Sequence, residues 1–313
     1  RRRMQKSMSK SGGETRSKTT MALEVLWTRM FAQVHENSVY SFSAVLIVVL
    51  ISLAVGALLA SWLAKRSAHP LKTLFFLMIF SGISVCISPS IFFSITDKLR
   101  MIATDMSFGS YVWNLFRTGF TAVGIPCFIL GTVFPFLMKS EERFTDQPGK
   151  SIGILSAINT LGAIFGSLVC GFVMLRYLGM WRSVQMIAAT YFLVALIMPL
   201  GKSALNGATK TLTAFLLVIC FTILSPAKLP VTGTIPGAAP ETLVEVWEAS
   251  DNTVSVVKTD IGGHSIKINS SYSLGSSASA MSQIFQTRIP LLAYPKTGSV
   301  FYLGMGTGAT AGE

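Results

Sequence analysis

Long apolar runs separated by short polar loops fill the first two thirds of the chain. A helix needs about 20 mostly apolar residues to cross the hydrocarbon core of a bilayer. By this criterion the predicted membrane-spanning helices are Phe42–Leu63, Leu71–Phe93, Leu115–Met138, Ile152–Leu175, Trp181–Leu200 and Thr211–Leu224. The last of these is short. The pattern therefore predicts a multi-pass α-helical membrane domain over residues 19–225.

The segment Thr19–Val34 comes before the first predicted span and is also apolar, but it carries Glu24 and Arg29. Ionised side chains are costly in hydrocarbon and usually face other helices or the interface. Two interpretations are open. The segment is either the second half of an earlier membrane helix or an amphipathic helix that lies in the interface. We favour the half helix.

The composition agrees with a membrane protein. Hydrophobic residues make up 51% of the 313 residues and charged residues only 13%, whereas soluble domains have about 25% charged residues. Half of the net charge of +12 belongs to a basic tail, residues 1–18, where seven Lys or Arg stand against Glu14. Such a tail typically lies near the anionic cytoplasmic face of a bilayer. No aromatic residue accompanies its charges, so we expect no nucleic-acid partner.

The pattern changes after the last predicted span. Residues 226–240 are rich in proline and glycine and form a predicted linker. Apolar and polar residues then alternate as in half-buried strands; the predicted strands are Leu243–Glu248, Thr253–Lys258 and His264–Ile268. Apolar residues at helical spacing predict a helix over Ser277–Arg288. Residues 241–298 are therefore expected to form a small antiparallel β-meander followed by a helix.

A glycine-rich turn, Gly304–Gly308, follows the predicted strand Val300–Leu303. Glycines allow a tight turn and a close approach of the backbone to a ligand, and a strand followed by such a turn opens many nucleotide-binding folds. The glycine spacing is closer to that of S-adenosylmethionine-dependent folds than to the dinucleotide fingerprint. Residues 299–313 are thus expected to begin a truncated Rossmann-like α/β domain. The candidate cofactor-binding residues are Gly304, Gly306, Thr307 and Gly308. A turn without a ligand is the simpler alternative.

Three segments of the membrane part carry a resemblance: Met21-Ala-Leu-Glu-Val-Leu-Trp-Thr-Arg29, Asn37-Ser-Val-Tyr-Ser-Phe-Ser-Ala44 and Asn159-Thr-Leu-Gly162. They resemble the membrane half of bacterial-type, membrane-fused spermidine synthase-like proteins. The stretch from Ile268 to Gly308 is similar to the stretch of spermidine synthases that ends in the glycine-rich turn. The resemblance covers nearly the whole chain after Thr19. It implies an integral protein of the cell membrane with a cytosolic synthase-like domain.

The family is one of polyamine aminopropyltransferases. The resemblance implies transfer of the aminopropyl group of decarboxylated S-adenosylmethionine to putrescine or a related amine, with release of methylthioadenosine. The electrophile is a carbon beside a sulfonium and needs no metal, but the attacking amine must lose a proton to a base. The family's base is an aspartate downstream of the turn. We therefore expect no catalytic residue within this chain, and no activity from the chain alone.

Carried over position by position, the resemblance implies two substrate-binding residues. Asn252 stands where the family has glutamine, and Gln283 is retained. Thr307 stands in place of the aspartate of the turn. There are four other departures from the family. Ser282 replaces a tyrosine and Ser273 a glutamine, while Ala278-Ser279 replaces an acidic pair and Asn269-Ser270 replaces Asp-Gly. Carboxylates are absent between Asp260 and Glu313, so the sequence predicts weak recognition of a dication in this segment.

Two other functions remain open. One is a membrane transporter or scaffold whose extramembrane domain senses a nucleoside cofactor without catalysis. The other is a methyltransferase that uses S-adenosylmethionine on an unknown acceptor, because the glycine-rich turn fits that cofactor equally well. Assembly into a homo-oligomer is compatible with each of them.

The basic residues of the loops predict an orientation. Cytoplasmic loops of membrane proteins carry an excess of Lys and Arg. The more basic set of loops contains Lys65, Arg66, Lys72, Lys139, Arg143, Lys150, Lys202 and Lys210. This assignment places the residues after Leu224 outside the cytoplasm, in conflict with a cytosolic synthase-like domain. The sequence alone leaves the topology undecided.

Overall fold

A computed structural model describes residues 19–35, 39–100, 107–142, 147–198, 204–223, 233, 241–249, 252–259, 263–270, 272–294 and 298–312. The basic tail and, apart from Gly233, the linker lie outside the described residues. The helices are α1 (residues 19–31), α2 (Val39–Arg66), α3 (Pro70–Ile95), α4 (Phe108–Gly119), α5 (Ile125–Glu142), α6 (Pro148–Val169), α7 (Leu175–Ile197), α8 (Ala204–Ile223) and α9 (Ala280–Ala293).

Four helical stretches among the described residues are long and apolar enough to cross a membrane. They are Val39–Arg66, Pro70–Ile95, Phe108–Glu141 and Gly149–Ile197. The prediction of helices long and apolar enough to cross a membrane is confirmed, and the number of crossings stays a prediction. The third stretch joins α4 to α5 through a π-helical turn, Phe120–Gly124, which the sequence pattern does not reveal.

The fourth and fifth predicted spans form one helical stretch of 49 residues, Gly149–Ile197. A straight helix of that length would measure about 74 Å, more than twice the thickness of the hydrocarbon core. Gly179, with φ 73° and ψ 176°, breaks the helix within α7. The break leaves 30 residues of the stretch before Gly179 and 18 after it, and only the second segment is close to the length of a single span.

Helix α1 packs inside the bundle. Leu23, Leu26, Trp27 and Met30 are at most 1% exposed. The indole Nε1 of Trp27 donates to Ser88 Oγ of α3 at 3.4 Å. An interfacial helix would leave one face to solvent and lipid headgroups. The packing therefore differs from that of an interfacial helix, and the half-helix interpretation stays a prediction.

Helices α2 and α5 cross at two glycines. A Cβ atom at Gly56 would overlap the carbonyl oxygen of Phe128, and one at Gly131 would lie 2.6 Å from the carbonyl oxygen of Leu53. The two backbones therefore touch without intervening side chains. Small residues at helix crossings allow this close packing in membranes, where lipid is as apolar as the side chains.

The four strands described after the bundle form an antiparallel sheet in the order β1-β2-β3-β4. They are β1 (Glu241–Glu248), β2 (Thr253–Thr259), β3 (His264–Ile268) and β4 (Tyr272–Ser276). The three predicted strands are confirmed, and β4 was not predicted. Asn269 and Ser270, with φ 47° and 65°, turn the chain between β3 and β4. Positive φ at two successive residues is the geometry of a tight hairpin turn.

The predicted strand Val300–Leu303 is absent. None of the described strands pairs with these residues, and the side chains of Phe301 and Leu303 are 86% and 93% exposed. Strand backbone needs a partner for its N–H and C=O groups, and no such partner is present among the described residues. The opening strand of a Rossmann-like domain is therefore not seen. The predicted helix is confirmed as α9, which begins after a capping box formed by Ser276 and Ser279.

Candidate functional site

The glycine-rich turn contacts the first half of α9. Gly304, Gly306 and Gly308 have φ values of 86°, 56° and 80°, a region that residues with a Cβ rarely adopt. The Gly308 N–H donates to the Met305 carbonyl at 2.9 Å. Thr307 Oγ1 donates to the Gln283 side-chain carbonyl of α9. The local sequence therefore produces the predicted turn although no strand precedes it.

Gln283 is the centre of a small polar cluster. Its Nε2 donates to Ser279 Oγ at 2.9 Å, and its main-chain carbonyl accepts from Thr310 Oγ1 at 3.2 Å. Gly275 of β4 lies against it, because an added Cβ would overlap the Gln283 amide and come within 2.6 Å of Thr307 Cγ2. The structure thus brings together Gln283, Thr307 and the glycine-rich turn, all of which are sequence-predicted site residues.

Asn252 lies elsewhere. It precedes β2, where its Oδ1 accepts from Asn269 Nδ2 at 2.9 Å. Gly275 pairs with Ile266, and Ile266 pairs with Val256. Val256 is four residues along the sheet from Asn252, which corresponds to about 13 Å at 3.3 Å per residue. Asn252 therefore belongs to a hairpin and is not part of the Gln283 cluster.

The cluster is neutral. Residues 272–294 and 298–312 contain no Asp or Glu, and Arg288 is their one charged side chain. Amide, hydroxyl and main-chain groups can bind the neutral hydroxyls and ring nitrogens of a nucleoside. They offer no counter-charge to a protonated amine, and no base to accept its proton. The arrangement suits a nucleoside-like ligand better than a polyamine.

A second polar cluster was missed by sequence reasoning and joins the bundle to the sheet. Arg29 of α1, only 8% exposed, donates from Nη2 to the Ala249 carbonyl at 3.1 Å and to Thr253 Oγ1 at 3.2 Å. Gln33, one turn later, donates to Thr253 Oγ1 at 3.2 Å and accepts from Ser270 Oγ at 2.8 Å. We call these residues, Arg29, Gln33, Ala249, Thr253 and Ser270, the polar junction. It fixes the sheet to the end of α1.

Glu248 of β1 extends this attachment to α7. Its Oε2 accepts from the Met180 N–H at 2.6 Å, a donor left free where the helix resumes after Gly179. A carboxylate is stabilised at such a helix N-terminus. Burial raises the pKa of Glu248 from its usual 4.5, and the Met180 N–H and Arg29 oppose this shift.

The raised pKa of Glu248 predicts a pH dependence of stability. The folded state binds the proton more tightly than the unfolded chain, so this residue destabilises the fold at neutral pH. The destabilisation is relieved as pH falls through the raised pKa towards 4.5. We therefore expect Glu248→Gln to lose stability relative to the wild type as pH falls from about 7 to about 4.5, in thermal unfolding measured across that range.

Glu245→Gln, at an exposed position of β1, is the control and should follow the wild type. A constant difference between the wild type and Glu248→Gln would contradict the assignment.

His35 lies just beyond α1 and was also not predicted. It is 1% exposed, and neither ring nitrogen has a hydrogen-bond partner in the part of the chain that the structure describes. Burial lowers its pKa to about 4, so the ring is neutral at pH 7. It stacks on Phe31 at 5.8 Å and meets Tyr111 edge-on at 6.3 Å. His35 therefore packs as a neutral aromatic ring.

Comparison with known proteins assigns no family to this arrangement. The chain matches no protein-family model, no curated protein and no solved structure.

Proposed function

We propose that the chain belongs to a membrane-anchored spermidine synthase-like protein, and that its extramembrane unit binds an adenosyl-type co-substrate at Gly304–Gly308. The observation that carries the proposal is the contact between Gln283 and Thr307 beside Gly275. These residues come from α9, the turn and β4, so three separate segments converge at one exposed place. The order of meander, helix and turn is also the order that the resemblance implies.

The proposed reaction is aminopropyl transfer. The amine of putrescine or a related acceptor attacks the aminopropyl carbon beside the sulfonium of decarboxylated S-adenosylmethionine. The carbon–sulfur bond breaks, methylthioadenosine leaves, and the proton of the amine passes to a base. In this proposal Gly304, Gly306, Thr307 and Gly308 hold the co-substrate and Gln283 orients the acceptor. Asn252, about 13 Å away along the sheet, would contact only the distal part of a long acceptor.

A second candidate is a transporter or scaffold whose extramembrane unit senses a nucleoside cofactor without catalysis. The neutrality of the Gln283 cluster favours it, because a dicationic amine finds no carboxylate there. Both candidates predict nucleoside binding at the same turn. They differ in whether the bound compound is converted to product.

Calorimetry on the whole protein in detergent separates these functions. Decarboxylated S-adenosylmethionine and S-adenosylmethionine are titrated in turn, with and without putrescine. Tighter binding of the decarboxylated form, with methylthioadenosine produced when putrescine is present, supports aminopropyl transfer. Binding without product supports the sensing function. Tighter binding of S-adenosylmethionine indicates methyl transfer, and no binding of either compound contradicts the proposed site.

Replacing Gly306 with aspartate tests the turn itself. A side chain at φ 56° strains the backbone, and it occupies the space through which a ligand would approach the turn, so we expect at least about a tenfold loss of affinity. Gly298→Asp is the matched control, because that glycine is exposed and has no atom within 4 Å of an added Cβ. Affinity for the adenosyl compound is measured by calorimetry in both variants. Equal affinities would remove Gly304–Gly308 from the site.

A further inference from the structure

Helices α2, α3 and α4–α5 begin and finish at two well-defined ends of the bundle. Tyr40, near the start of α2, contacts Phe108 at the start of α4, with ring centroids 5.6 Å apart. Lys139, near the end of α5, donates from Nζ to Ser61 Oγ near the end of α2 at 2.9 Å. Helices α2 and α4–α5 therefore run side by side in the same direction. We call the end with Tyr40 the sheet end and the end with Ser61 the loop end.

Contacts with the strands justify the name of the sheet end. Helix α3 starts four residues after α2 finishes and runs from the loop end back to the sheet end. Leu99, just beyond the end of α3, lies against Gly233. The Gly233 N–H donates to Ser270 Oγ, in the turn between β3 and β4, at 2.7 Å. The polar junction and the bond from Met180 to Glu248 meet the sheet at the same end. The sheet and the glycine-rich turn are therefore attached opposite the loop end.

The distance between the ends matches a bilayer. Tyr40 and Trp62 of α2 are 60% and 51% exposed, and the roughly 22 residues of helix that separate them span about 33 Å. The hydrocarbon core is about 30 Å thick, and exposed aromatic residues favour its two interfaces. The Arg66 guanidinium lies 4.7 Å above the Trp62 ring, next to the outermost turn of α2. The two ends of the bundle therefore fit opposite membrane surfaces.

Basic residues are concentrated at the loop end. The described ones there are Lys65, Arg66, Lys72, Lys139, Lys150 and Lys210. The loops at the sheet end carry Lys98, Arg100, Arg176 and Arg182, and Arg100 is paired with Asp97 at 3.8 Å. Arg117 lies nine residues inside α4 and belongs to the helix. Among the described residues, the loops therefore carry six basic residues at the loop end and four at the sheet end.

We propose that the loop end binds the anionic phospholipid headgroups of the cytoplasmic leaflet, and that the sheet and the glycine-rich turn lie on the other side of the membrane. Lys and Arg in short loops are retained on the cytoplasmic side, where anionic lipids attract them. The structure adds that the sheet lies at the end of the bundle opposite the more basic loops. This inference goes beyond the proposed function and does not rest on it. It replaces the expectation of a cytosolic domain.

The orientation bears directly on the ligand. A turn on the non-cytoplasmic side would meet the solutes of that compartment and not a cytosolic pool of S-adenosylmethionine. The sensing or transport function then gains over aminopropyl transfer. Binding in detergent remains measurable in either orientation, so failure of this inference and failure of the proposed function are distinguishable.

Labelling of introduced cysteines tests the orientation in the whole protein. Ala68 at the loop end and Ser299, shortly before the glycine-rich turn, are both exposed, whereas the four native cysteines are buried. Ala68→Cys and Ser299→Cys are each treated with a membrane-impermeant maleimide, on intact cells and after permeabilisation. We expect Ser299→Cys to react on intact cells and Ala68→Cys only after permeabilisation. The reverse pattern, or equal reactivity of the two positions on intact cells, would overturn the inference.

A charge change tests whether the headgroups set this orientation. Lys65, Arg66 and Lys72 are replaced with glutamine in the Ser299→Cys background. On intact cells, the share of molecules protected from the maleimide should then be several-fold larger than for Ser299→Cys alone. The matched control neutralises Lys98, Arg100 and Arg182 at the sheet end, and it should leave the labelling of Ser299→Cys unchanged. These basic side chains are all exposed, so the fold should tolerate both sets. No change in the first set would refute a role for the basic loops.

Discussion

Replacing Gly56 with valine is expected to destabilise the helical bundle more than any other single substitution considered for it. Any side chain at this position would overlap the Phe128 carbonyl oxygen, and the next atoms of α5, at Gly131, lie 3.0 Å from the added Cβ. Overpacking usually costs about 1–3 kcal/mol when side chains can rotate away. Here the obstacle is backbone, which can yield only if two whole helices separate. We therefore expect the free energy of unfolding to fall by at least about 3 kcal/mol, the upper end of that range.

Gly153 supplies the matched control for this prediction. It also lies in an apolar helix, α6, but an added Cβ would have no atom within 4 Å. Thermal unfolding in detergent, followed by circular dichroism, should show a large drop in the midpoint for Gly56→Val and little change for Gly153→Val. Similar midpoints for the two variants would mean that the α2–α5 crossing does not limit stability.

The lengths of apolar runs predict the helices well because membranes impose a length on every span. The same runs do not reveal the crossing at Gly56 and Gly131. Glycine is common in apolar segments, and the partner of each helix is set by packing between distant parts of the chain. The break at Gly179 falls between the fourth and fifth predicted spans, but no local pattern shows that its unusual backbone is held partly by Glu248, which is 69 residues later in the chain.

The sheet illustrates the limits of local β patterns. Strand β4 has the sequence Tyr-Ser-Leu-Gly-Ser, with few β-forming residues, and was not predicted. It is a strand because β3 supplies backbone partners. Val300–Leu303 has the stronger local pattern but pairs with none of the described strands. β-propensity depends on such context more than helix propensity does.

The two polar clusters differ in how far sequence could anticipate them. Gln283 and Thr307 were both candidates through the resemblance, and their contact required only that α9 precede the turn closely. The polar junction joins residues more than 200 positions apart, so no local pattern contains it. One signal was present: Arg29 and Gln33 are four residues apart, the spacing of one helix face, in a mostly apolar segment. Such polar residues within apolar helices usually mark an interior contact.

Replacing Arg29 with methionine is expected to release the sheet from the bundle while the helices stay folded. The substitution keeps an apolar stem of similar length but leaves the Ala249 carbonyl and Thr253 Oγ1 without the Arg29 donor, and Glu248 without a nearby positive charge. Hydrogen bonds from a charged group to buried partners contribute about 1.5–3 kcal/mol. Four short strands detached from a supporting surface are marginally stable. Unfolding of the sheet should therefore become about 2 kcal/mol easier.

Limited trypsin digestion measures this opening. Lys258 in β2 and Arg288 in α9 are exposed cleavage sites, but cleavage at Lys258 requires the strand to leave the sheet. Cleavage that follows the open population should rise about 30-fold for about 2 kcal/mol, with little loss of helical circular dichroism. Arg117→Met removes an exposed arginine from α4 and should digest like the wild type. Arg29→Lys retains the charge without the forked donor and should fall between the two. If Arg29→Met digested at the wild-type rate, the sheet would be held by Glu248 and Gly233 and not by the polar junction.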